Sequence, residues 1–201
     1  MISKIRFRYS WIYDQNYRNS PKIQENLKSQ GKEYPSTKNI FNYIKKIEPL
    51  WKRHEKIVLK EISKLTGLSW REKEVLCYLI GFGRPFSDPL TLRLYDNKKD
   101  FIDTLIHEMI HQIQTQNQII NRKWKEYIEK KYKKETQTTR NHLLVHSVHY
   151  KIYLKLFDKK RLNRDIKNCD KYQDYKRSWE IVKKEGPDVI IRKFKELTKK
   201  Q

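Results

Sequence analysis

His107-Glu108-Met109-Ile110-His111 sets two imidazoles four residues apart, with a carboxyl directly after the first. On a helix, residues four apart share a face, so both rings can reach one divalent ion. Glu108 then stands beside that ion rather than on it, where it can take a proton from a metal-bound water. Zinc brings the pKa of such a water from about 15.7 to about 7 and also polarises a carbonyl, which is the chemistry of peptide hydrolysis. Random placement of the chain's 6 His and 14 Glu produces this pattern in about 1% of such sequences, so the motif carries information.

A catalytic zinc site needs three protein ligands and one open position. The metzincin continuation would put Gly at 114 and His at 117; the chain has Gln114 and Asn117. Downstream, His142, His146 and His149 recur at i, i+4, i+7, and Tyr153 extends the series along one helical face. Three imidazoles on a face of an otherwise apolar helix make a poor core but a reasonable metal site. His146, the central one, is the assigned third ligand. Its neighbours His142 and His149 lie one turn to either side, where one of them can hydrogen-bond an oxyanion or orient a ligand. His149 is taken, with Glu108, as the catalytic pair. His142 and His149 stay open as alternative ligands. So do Glu126 and Glu129, although Lys125-Glu126-Tyr127-Ile128-Glu129-Lys130-Lys131 reads as a solvated charged face.

These residues need elements to hold them. Leu90–Tyr95 alternates in the manner of a strand with one buried face. Asp96, Asn97 or Asp100 can cap a helix over Phe101–Gln116, whose Ile102, Leu105, Ile106, Met109, Ile110 and Ile113 form a broad apolar stripe. Further helices are predicted near 121–134, 138–157, 172–184 and 187–197. Upstream, helical spacing begins at Ile40, with Pro49 as a kink or fresh start and Gly67 at a C-cap, and 75–82 is a short β-forming run. The fold class is therefore α+β, mostly helical, with a small sheet before the motif helix and helices after it. The organisation expected is a polar N-terminal extension at 1–38, a core at 39–160, and a basic helical C-terminal segment at 161–201 packing on that core. Either end could cover the cleft, a latency that deletion of 1–38 would reveal as a gain of activity.

The motif and its setting resemble the zincin metallopeptidases over roughly Lys52–Phe157. Within them, Leu105-Ile106-His107-Glu108-Met109-Ile110-His111 is similar to SprT-like proteins, intracellular proteases that act on DNA-bound proteins. The resemblance implies that the Leu90–Tyr95 strand lines the cleft and pairs with extended substrate backbone. The chain departs from SprT-like proteins in having no His-Gly pair and no four-cysteine zinc module. A helix-borne third ligand is closer to the gluzincin arrangement, with His where Glu is usual.

Composition narrows the partners. Lys and Arg number 46 against 24 Asp and Glu, a formal charge of +22 in 201 residues. That excess points to polyanions, nucleic acid first. Aromatics interleaved with cations, as in Lys123-Trp124-Lys125 and Tyr172-Gln173-Asp174-Tyr175-Lys176-Arg177, could stack bases. Two cysteines, Cys77 and Cys169, favour a reducing compartment, and no apolar stretch is long enough to span a bilayer. The expectation is an intracellular, cytoplasmic zinc metallopeptidase acting on polypeptides. The alternative is a basic nucleic-acid-associated or virion-type structural protein with a non-catalytic zinc site.

Overall fold

A computed structural model describes residues 3–199. Helix makes up 66% and strand 10%, with one small mixed sheet, so the mostly helical α+β class holds. The chain divides into two compact units. The first contains β1 (Lys4–Tyr9), α1 (Trp11–Arg18), α2 (Pro21–Ser29), most of α3 (Thr37–Thr66), β2 (Glu74–Ile80), β3 (Phe86–Ser87), β4 (Leu90–Arg93) and most of α4 (Lys98–Thr115). The second contains the last turns of α3 and α4 with α5 (Arg122–Lys131), α6 (Gln137–Leu156), α7 (Lys159–Cys169), α8 (Gln173–Glu185) and α9 (Pro187–Thr198).

In the first unit the sheet order is β1-β2-β4-β3, with β1, β2 and β4 parallel and β3 antiparallel at the edge. The first 38 residues are therefore not an extension. Lys4-Ile5-Arg6-Phe7-Arg8-Tyr9 alternates charge with bulk, and β1 pairs with β2 from Lys4↔Glu74 to Tyr9↔Leu79. One carboxylate oxygen of Glu55 on α3 accepts from the Ile5 amide at 2.7 Å and the Trp51 indole at 3.0 Å, tying strand to helix. Asp14, wholly buried on α1, accepts from the Tyr34 hydroxyl at 2.6 Å, the Gly81 amide at 3.0 Å and Arg18 at 3.3 Å. A buried carboxylate is tolerable only with such partners, and these fix the start of the loop after β2. Phe101 of α4 gathers the rings of Phe7, Tyr43 and Tyr95 at 5.8, 5.6 and 6.2 Å.

Of the two outcomes expected at Pro49, a kink or a fresh start, the fresh start is absent: α3 runs through it. Pro49 lies on the exposed face, while Ile47 and Trp51 on either side are buried, so packing outweighs the lost backbone bond. Gly67 ends α3 with φ +73° and its amide on the Ser63 carbonyl at 2.8 Å, as a C-cap glycine does.

In the second unit α6 is the hub, packed by α7, α8 and α9. Thr136 caps it, its hydroxyl accepting from the Thr139 amide at 3.1 Å. The expected boundary at 160/161 falls inside α7, and Trp179, Val182 and Phe194 beyond it are buried in the same unit as α6. Trp124 is buried as well, edge-on to Phe194 at 5.4 Å, which removes it as a base-stacking platform. No helix among the described residues is long and apolar enough to cross a membrane.

Candidate metal centre

The motif helix forms because its ends and its stripe agree. Asn97 receives the Lys99 amide on its side chain at 2.9 Å at the entry. Phe101, Ile102, Leu105, Ile106, Met109, Ile110 and Ile113 are all buried. Thr104, His107 and His111 stay partly open, a stripe at helical spacing, with Glu108 set into it at 7% exposure. The His107 and His111 rings lie 5.1 Å apart at 62°, so the two imidazoles expected to share an ion do share a face.

Glu108 faces the strand ends. Its pKa is raised from 4.5 to about 8 by burial, partly offset by the Arg84 guanidinium on the loop after β2. Its charge is felt in turn by the Cys77 thiol on β2, pushed well up chiefly by burial. The Tyr95 phenol beyond β4 is likewise raised by burial, with the Glu108 charge adding to it. The carboxyl thus sits in a pocket where its protonated form is stabilised.

The three α6 histidines, which look equivalent in sequence, have different neighbours. The His142 Nδ1 lies 2.7 Å from the Thr138 carbonyl. A carbonyl only accepts, so Nδ1 carries the proton and Nε2 keeps its lone pair, the tautomer that a metal-ligating histidine needs. The Tyr175 ring of α8 holds this imidazole from the side at 4.3 Å. His146, 1% exposed, lies flat on Trp179, 4.3 Å away and 6° from parallel. His149 stacks on Tyr153 at 4.4 Å, and burial followed by the Arg161 charge lowers its pKa to about 3, leaving it neutral.

Among the described residues, the grouping that could hold a metal ion is His107, His111 and His142. His146, expected as the third ligand, is not in it. Nor are Glu126 and Glu129, both exposed on α5, where Glu126 pairs with Arg122 at 3.0 Å. His149 lies seven residues past His142, about 10.5 Å along the helix axis. Three imidazoles are a donor set that zinc favours.

Sequence reasoning missed Thr138, Arg84 and Tyr95, and read Tyr175 only as a base-stacking aromatic. The i−4 carbonyl of a helical histidine was the one signal available. Compared with protein-family models, curated proteins and solved structures, the chain matches none.

Proposed function

We propose that this chain is a zinc-dependent metallopeptidase of zincin type, in which His107, His111 and His142 hold the ion and Glu108 is the general base. The observation that carries the reading is the pair of imidazoles on one face of α4, their rings 5.1 Å apart, with the buried Glu108 carboxyl on the same helix. Three protein ligands leave a position open, as catalytic sites do, whereas structural zinc sites close with four. Zinc supplies, when bound, an acidified water and a Lewis acid for the scissile carbonyl. Glu108 takes the proton of the attacking water and returns it to the departing amine. Its burial raises its proton affinity, which favours holding the proton once it has been taken. Thr138, through His142 Nδ1, fixes the ligand's tautomer. Substrates are polypeptides, and the site belongs inside the cell, in keeping with two cysteines that are both free.

Glu108→Gln keeps the three imidazoles and removes the base. We expect one zinc per chain retained by elemental analysis, with hydrolysis of an unfolded protein substrate down about 10²–10⁴-fold. Undiminished turnover would overturn the assignment.

A second reading, a basic nucleic-acid-associated or virion-type protein with a non-catalytic zinc site, draws on charge distribution. Residues 57–71 and 113–199 carry 27 Lys and Arg against 12 Asp and Glu. Salt-sensitive nucleic-acid binding by a zinc-loaded chain without peptidase activity would favour it.

A further inference from the structure

Resting on the peptidase reading, we propose that Arg84 and Arg93 form an anion-binding subsite beside Glu108 that selects peptides with an acidic side chain next to the scissile bond. The argument begins with strand register. Ile80, the last residue of β2, pairs with Arg93, the last of β4, so the Gly81–Arg84 segment leaves the sheet alongside Arg93. Arg93 is held by rings on two sides, its guanidinium carbon 5.2 Å from the centre of Phe82 and 4.6 Å from that of Tyr95. These contacts, with a side-chain hydrogen bond to Tyr95, hold the guanidinium in place, and a guanidinium carries five N–H donors, enough to serve Tyr95 and a carboxylate together.

The loop that brings Arg84 is equally fixed. The Gly81 amide donates to Asp14 and to the Tyr34 hydroxyl, each at 3.0 Å. A Cβ on Gly81 would sit 2.3 Å from the Tyr34 ring, and one on Gly83 would sit 2.8 Å from Ile80. Glycine at both positions lets the backbone pass beneath these side chains. Arg84 itself is exposed. Neither arginine is ion-paired with a carboxylate among the described residues. The exposed Arg84 guanidinium acts electrostatically on the Glu108 carboxyl, and Arg93, held by its two rings, stands beside the segment that carries Arg84, so the two cations give the site a cationic wall. A Glu or Asp side chain on the substrate is the peptide chemistry that matches it.

The test uses the full zinc-loaded chain and two fluorogenic peptides that differ only in Glu against Gln beside the cleaved bond. The expected result is a kcat/KM about tenfold higher for the Glu peptide, the scale of one good charged hydrogen-bonding pair. In Arg84→Gln/Arg93→Gln the ratio falls toward one, and in Arg84→Glu a Lys peptide becomes the better substrate. Because each variant is read as its own ratio, reduced folding does not imitate the effect. Equal rates in the wild type, or a ratio unmoved in the variants, would overturn the subsite. If neither peptide is cut, anisotropy of the same peptides on the zinc-loaded protein decides separately. Tighter binding of the Glu peptide, lost in the double variant, keeps the subsite while the hydrolase reading falls. Equal binding, or displacement by single-stranded DNA without Glu/Gln discrimination, refutes it.

Discussion

His142 and His146 stand one turn apart on α6 and differ in what their rings can do. His142 Nδ1 donates to the Thr138 carbonyl, while the flat face of His146 lies on Trp179. The two substitutions to alanine should therefore separate. His142→Ala should lose stoichiometric zinc in elemental analysis. His146→Ala should retain it and lose about 2 kcal/mol of folding free energy in urea, the scale of a vacated buried site. Zinc lost from His146→Ala and kept by His142→Ala would reverse the ligand assignment. His149 yields a pH prediction of its own. Its pKa is about 3 in the folded chain and 6.5 in the unfolded one, so between those values the unfolded state binds the extra proton. Its stabilising effect is complete above pH 6.5 and is lost as pH falls toward 3, at up to about 1.4 kcal/mol per pH unit. His149→Leu should accordingly narrow its stability gap to the wild type as pH drops from 6.5 to 4. A parallel pair of profiles would show that burial does not hold this ring neutral.

The elements divide into those that local pattern determines and those that need a partner. The α4 helix was legible because Asn97 caps it and seven apolar residues line it, so the face with His107, Glu108 and His111 followed. The β2 and β4 strands were legible from short apolar or alternating runs. The β1 strand was not, since three cations in six residues hide Ile5, Phe7 and Tyr9, and what recruits it is the edge of β2, which is remote in sequence. For the same reason the expected substrate-pairing strand is no free edge: β3 pairs with β4 at Leu90 and Thr91, which leaves only Leu92 onward on that flank. The third ligand was ambiguous because i, i+4, i+7 spacing fixes a face without saying which of three rings is suited to be a ligand. At Pro49 the pattern left a kink or a fresh start open, and α3 continues despite the local cost because Ile47 and Trp51 bury enough to carry it past. That cost should still be recoverable. Pro49→Ala on the exposed face restores an N–H worth about 3 kcal/mol in a helix interior, less about 1 kcal/mol of unfolded-chain entropy. A urea midpoint higher by the equivalent of about 2 kcal/mol is expected, and an unchanged midpoint would mean that α3 is already strained elsewhere.

Over the whole molecule, the first forty residues decide between two views of how activity is controlled. A detachable cover would leave the rest of the chain intact when removed, and hydrolysis would rise. The contacts argue otherwise. Deleting residues 1–38 takes away β1 and its six-residue register with β2, strips Glu55 of the Ile5 amide, and removes both groups, Asp14 and Tyr34, that receive the Gly81 amide. A buried N–H left without an acceptor costs about 1–3 kcal/mol, and loss of a buried isoleucine about 2–5 kcal/mol more. Against a total stability of about 5–15 kcal/mol, the truncated chain has little margin. It should unfold at far lower urea or fail to fold cooperatively, and its hydrolysis should fall with its folded fraction. The loop bearing Arg84 is the first part of the candidate site to lose its anchor, so discrimination for the acidic peptide should decline before all turnover does. A truncated chain that melts like the full one and cuts faster would restore the view of these residues as a cover.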